Sequence, residues 1–130
     1  MMTKAEIFAA FAYNIAKADG ELEESEVIRI IKVAEANELD SDAVLEACKK
    51  EIENPSNLVE VAKQMTEEEK DLAIFAAIRI SLADGKIAIK EMQRIHAYCE
   101  LFGWGPQYVT IKYVQQLKKD ASLLVEGVDF

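Results

Sequence analysis

Turn-forming residues are scarce in this chain: two prolines and five glycines among 130 residues. So few turn formers exclude a collagen-like repeat and a turn-dense all-β fold. A hydrophobic content of 51% excludes intrinsic disorder. The two cysteines, Cys48 and Cys99, lie far apart and form neither a Cys-x-x-Cys motif nor a zinc-type spacing. Each sits on an apolar helical stripe, so both read as small buried hydrophobes. His96 is the single histidine, and with Glu100 it makes only an i,i+4 pair, too few ligands for zinc. With a single histidine and no nucleophile motif around any serine or cysteine, nothing supports hydrolase chemistry, and the reading is a non-enzymatic chain. No apolar run is longer than 72–78, which Arg79 ends and which falls far short of the ~20 residues of a membrane span. The apolar stretch 7–13 follows Glu6 and continues through Asn14 and Lys17 at helical spacing. It reads as a mature helix rather than a signal peptide, and the expected location is cytoplasmic. Basic residues number 15 against 24 acidic ones, net −9. Such a chain repels phosphate backbones, so nucleic acid is not an expected partner.

What remains points to one domain spanning 1–130, long enough to bury about two-thirds of its unfolded surface. Thr3-Lys4-Ala5-Glu6 is a capping box, in which hydroxyl and carboxylate each satisfy a free backbone N–H. The helix it opens carries Ile7, Phe8, Phe11, Ile15 and Ala18 on one face. A second helix over about 23–37 carries Val27, Ile30, Ile31 and Ala34. Asp40 or Ser41 caps a third with Val44, Leu45, Cys48 and Ile52, broken by Asn54-Pro55-Ser56-Asn57. A short fourth holds Leu58, Val61, Ala62 and Met65. Thr66-Glu67-Glu68-Glu69 is a second capping box. It opens a fifth helix, apolar almost all round, expected at the centre of the molecule. A sixth over about 88–102 holds Met92, Ile95, Cys99 and Phe102, and a seventh holds Val109, Tyr113, Val114 and Leu117. No stretch alternates as a strand does. The expectation is an all-α, compact bundle of about seven helices.

The two halves match at an offset of 65 residues. Ile15 pairs with Ile80, Ala18-Asp19-Gly20 with Ala83-Asp84-Gly85, Leu22 with Ile87, Glu26 with Glu91, and Arg29-Ile30 with Arg94-Ile95. A duplication of one helical unit follows, with repeat one at about 3–65, repeat two at about 66–118 and a tail over 119–130. Charge is uneven between the halves. Residues 1–65 hold 7 basic and 14 acidic side chains, and residues 66–130 hold 8 and 10.

The repeated word, Ala-Asp-Gly-x-(Leu/Ile)-x-x-x-Glu, resembles the second half of an EF-hand calcium loop. The first half is absent: the positions that must ligate calcium fall on Ile15 and Lys17, and on Ile80 and Leu82. An EF-hand is therefore rejected. Two readings stand. In one, Gly permits the chain reversal, Leu or Ile plugs the core, and the acidic side chains accept loop and helix-start N–H groups. In the other, Asp19 with Glu26, and Asp84 with Glu91, offer hard oxygen ligands to a divalent cation such as Ca²⁺, Mg²⁺ or Mn²⁺.

These two copies, Lys17-Ala18-Asp19-Gly20-Glu21-Leu22-Glu23-Glu24-Ser25-Glu26 and Leu82-Ala83-Asp84-Gly85-Lys86-Ile87-Ala88-Ile89-Lys90-Glu91, make the chain similar to the tellurite-resistance TerB family. Related domains stand alone and at the N-terminus of a membrane-anchored co-chaperone of the DnaJ class. The resemblance implies a two-repeat α-helical bundle, a role in metal or stress response, and metal binding by acidic residues. Copy two departs from the acidic pattern: Lys86 and Lys90 stand where copy one has Glu21 and Ser25, and they weaken the case for a second site. Phe102, Trp104, Tyr108 and Tyr113 read as core and turn packing, or else as a surface for a protein partner or a homodimer. In that rival view the chain is an interaction module and its Asp-Gly turns are scaffolding.

Overall fold

A computed structural model describes residues 2–19, 24–81, 89–105, 107 and 108. These form six α-helices and no strand: α1 (Lys4–Ala16), α2 (Glu24–Ala36), α3 (Ser41–Glu53), α4 (Leu58–Ala62), α5 (Glu67–Ser81) and α6 (Ile89–Leu101). A 3-10 turn, Lys17–Asp19, extends α1. The expected seventh helix, with Val109, Tyr113, Val114 and Leu117, and the tail 119–130 lie outside the described residues.

Both capping boxes form. The Glu6 N–H donates to Thr3 Oγ1 over 3.1 Å and the Thr3 N–H to Glu6 Oε1 over 2.9 Å. Thr66 and Glu69 repeat this at 3.2 and 2.9 Å. The backbone and hydroxyl bonds from Thr3 hold the Glu6 carboxyl below its ordinary pKa. Asp40 caps α3 through the N–H groups of Asp42 and Ala43, and Asn57 caps α4. The starts of α1, α3, α4 and α5 are thus closed by short polar side chains that the sequence places just before an apolar stripe.

The centre of the molecule differs from the expectation of α5 alone. α1 and α5 pack against each other, and α1 also meets α2, α3, α4 and α6. Nine of its thirteen residues are buried. The small side chains of Ala9, Ala10, Ala12 and Ala16 let neighbours close on every side. α5 is apolar only beyond its acidic first turn, Glu67 to Glu69. Side-chain size exchanges between the two copies: Phe8, Ala9, Ala10 and Phe11 correspond to Ala73, Ile74, Phe75 and Ala76. Large residues in one helix stand where the other has small ones, which suits two copies of a helix packed on each other.

The duplication is visible in the backbone. α2 and α6 are each 13 residues and begin 65 residues apart. Both end in a Schellman motif. The Leu39 N–H reaches the Ala34 carbonyl over 3.0 Å, and the Trp104 N–H the Cys99 carbonyl over 2.8 Å. The residue that must turn left-handed is Glu38 in copy one, φ 62°, and Gly103 in copy two, φ 78°. A left-handed non-glycine costs about 1–2 kcal/mol, and glycine's extra freedom in the unfolded chain returns roughly half of that. Glu38→Gly is therefore expected to stabilise the fold by about 0.5–1 kcal/mol. Gly103→Ala should destabilise it by about 1 kcal/mol, from backbone strain alone, because a Cβ there meets nothing within 4 Å. Urea midpoints of the two variants check both signs.

Candidate functional site

α1 ends where the Lys17 N–H reaches back to the Tyr13 carbonyl, and the 3-10 turn carries the chain to Asp19. α2 begins five residues later, with Glu24 and Glu26 in its first turn. Of the four candidate ligands, Glu26 is half-buried on α2, and Glu91 is buried on the first turn of α6 at 9% exposure. Each already has a polar or electrostatic partner. The backbone of Asp19 closes the 3-10 turn, but its side chain lies outside what is described, and so does all of Asp84. Gly20, Leu22, Gly85 and Ile87 fall outside as well. Among the described residues no three His, Cys, Asp or Glu side chains gather closely enough to hold a metal ion. Carboxylates on the first turns of α2 and α6 also complement the helix dipole, which a scaffolding role requires.

A second feature ties the two repeats together. Arg94 on α6 donates from Nη1 to the Asn14 carbonyl over 2.7 Å, and the Tyr98 hydroxyl donates to Asn14 Oδ1. The Asn14 carbonyl belongs to the last turn of α1 and has no partner within that helix, so Arg94 caps α1 from the other copy. Burial pushes the Tyr98 hydroxyl well above its ordinary pKa, and the neighbouring Arg94 charge opposes this. Arg94 pairs with Arg29 at the repeat offset. That pairing was visible in the sequence, but its cross-repeat cap was not.

Sequence reasoning also missed Glu51. Its carboxylate accepts the Ser56 N–H over 3.0 Å and the Ser56 hydroxyl, and it is buried. It closes the 54–57 turn between α3 and α4. The stripe on α3 is therefore Val44, Ala47, Cys48 and Glu51, while Ile52, expected inside, is 53% exposed. Both 51 and 52 follow 48 at helical spacing, and the polar bonds to Ser56 decide between them. A glutamate four residues before Pro55, within reach of the turn that Pro55-Ser56 marks, was the available signal.

Cys48 and Cys99 are buried, as expected, and form no disulfide. Burial, and secondly the Glu51 charge, push the Cys48 thiol up to about 11. His96 is exposed on α6. The aromatic residues form a chain of ring contacts from the core outward. Phe11 meets the edge of Tyr98 at 5.0 Å and packs on Phe102 at 5.4 Å. Phe102 then touches Trp104, which stacks on Tyr108 at 5.5 Å. Phe102 and the half-buried Trp104 are core and rim packing, and Tyr113 lies outside the described residues. No helix among the described residues is long and apolar enough to cross a membrane.

Duplicated capping boxes, a 65-residue register and cross-packed central helices define a two-repeat, all-helical domain. Comparison with known families is in accord: the model of the family described as "Tellurite resistance protein TerB" matches residues 5–112, and the chain belongs to that family. Neither the curated proteins nor the solved structures contain a match to it.

Proposed function

We propose that this is a non-enzymatic domain of metal or stress response that binds a divalent cation at the Asp-Gly turn of the first repeat. Asp19 and Glu26 are the ligands, and Asp84 with Glu91 forms a weaker second pair. The observation that carries this reading is the density of charge at that turn. Five carboxylates, Asp19, Glu21, Glu23, Glu24 and Glu26, fall within eight residues. The 3-10 turn and the first turn of α2 hold the two ends of that stretch. A cation relieves the repulsion among these groups, and carboxylate oxygens select hard ions such as Ca²⁺, Mg²⁺ or Mn²⁺ over soft ones. Copy two lacks this density, since lysines replace two of the acidic or polar positions. The test is calorimetric titration of Ca²⁺, Mg²⁺ and Mn²⁺ into chelator-stripped protein, with Asp19→Ala alongside. Saturable binding in the wild type, weakened at least about tenfold in a folded Asp19→Ala, is expected. An absence of saturable heat with all three ions would falsify the assignment and leave the turns as scaffolding.

A further inference from the structure

A cavity of about 440 Å³ opens beside the last turn of α1, between α1, α6 and the 54–57 turn. Lys17, Lys90 and Arg94 line it. The one described carboxylate in its wall is Glu51, whose two oxygens take the N–H and hydroxyl of Ser56. Among the described residues the wall therefore carries two positive charges more than it carries negative, in a chain whose net charge is −9. We propose that this cavity binds the phosphate group of a small phosphorylated molecule. The reading is independent of any metal at the Asp-Gly turn.

Each cation is presented in a way that suits an anion. The Arg94 guanidinium is fixed by its bond to the Asn14 carbonyl. That bond uses one of its five N–H donors and sets the plane in which the others are presented. Lys17 is parked with its ammonium 5.5 Å from the centre of the Tyr13 ring. Lys90 stands exposed on the first turn of α6, where the helix dipole disfavours a positive side chain. No ion pair with a described carboxylate offsets its charge. A bound anion would supply that offset.

The duplication sharpens the argument. Were these residues needed only to build the repeated turn, the other copy would carry them too. At the 65-residue offset Tyr13, Asn14, Lys17 and Lys90 correspond to Ile78, Arg79, Leu82 and Ser25, and only Arg94 finds its like, Arg29. The shared arginine belongs to the fold, and Lys17 and Lys90 stand in one copy alone. The cavity is larger than a bare phosphate needs. Ala10, Pro55 and Leu58 give it an apolar wall, which suits a phosphate monoester with an organic body.

The competing account is that Lys17 and Arg94 merely complement the carbonyl end of α1. Amide NMR titration with inorganic phosphate and with phenyl phosphate, in low salt and with chelator present, separates the two. The proposal expects saturable shifts at Tyr13, Asn14, Lys17, Lys90 and Arg94, and tighter binding of phenyl phosphate. Lys90→Glu should weaken both ligands at least about tenfold, because a repelling charge replaces an attracting one. It should leave the fold intact, since glutamate suits a helix start better than lysine. Lys49→Glu, on the exposed side of α3, should bind as the wild type does. Shifts that do not saturate, or an affinity unchanged by Lys90→Glu, would overturn the proposal. Because chelator is present throughout, a failure here is separate from any failure of the cation site.

Discussion

Phe11→Ala is expected to cost about 3–5 kcal/mol, the largest effect of any single truncation considered. Phe11 is 1% exposed and sits at the meeting point of the Tyr98 and Phe102 rings. Truncation removes the transfer energy of the ring and leaves a cavity in a closely packed interior. It also ends an edge-to-face contact worth about 0.5–1.5 kcal/mol beyond its area. The equivalent position in the second repeat is already Ala76, so the variant would carry alanine at both. For a domain of this size the loss lowers the thermal midpoint by roughly 10–15 °C. It approaches the whole stability of a typical domain, about 5–15 kcal/mol. Thermal and urea unfolding of Phe11→Ala beside Phe11→Leu provides the check. Leucine keeps most of the volume and loses only the ring contacts, so its cost should be less than half that of alanine. Equal costs for the two would mean that the ring contacts, and not the cavity, dominate.

Most of the fold is legible in the chain because its signals are local. Each capping box needs only four consecutive residues, and both form where Thr3-Lys4-Ala5-Glu6 and Thr66-Glu67-Glu68-Glu69 stand. The stripe through Ile7, Phe8, Phe11 and Ile15 is buried as its spacing requires. What the spacing of α5 does not report is which of two apolar helices lies deeper. That depends on the small residues of α1 and on the acidic opening of α5, whose effects appear only once the two are packed. Glu38 shows a different limit. A left-handed residue is expected at glycine, so a glutamate there gives no local sign. Only carrying Gly103 back by 65 residues would have found it.

The site is less legible, for a physical reason. A carboxylate beside a tight turn serves equally as a cap for backbone N–H groups and as a metal ligand. Asp19 and Glu26, like Asp84 and Glu91, stand seven residues apart in the sequence whichever role they serve. The burial of Glu91 and the lysines in the sequence of copy two make its pair the weaker of the two. The basic cavity escaped notice because its parts come from residues 17, 90 and 94, which no short motif joins. Net charge concealed it as well: a total of −9 reports the average surface and says nothing of a local inversion.

Glu51→Ala should cost about 2–3 kcal/mol, because it strips the Ser56 N–H and hydroxyl of their shared acceptor and reopens the 54–57 turn. Glu51→Gln keeps one acceptor oxygen and should cost roughly half as much. The same residue acts on Cys48, one turn earlier on α3. Its negative charge opposes thiolate formation and adds to the larger effect of burial. A thiol whose folded pKa is raised stabilises the fold fully below its unfolded pKa, and that contribution is lost as pH rises toward the folded value. The window runs from about 9 to about 11, and stability should fall across it by up to about 2 kcal/mol. Cys48→Ala should flatten that fall while lowering stability slightly at neutral pH. Glu51→Gln should move its upper edge down, because part of the cause is gone. Urea unfolding at several pH values between neutrality and pH 11 reads all of these from one series. A fall of equal depth in Cys48→Ala would show that other groups carry the alkaline limb.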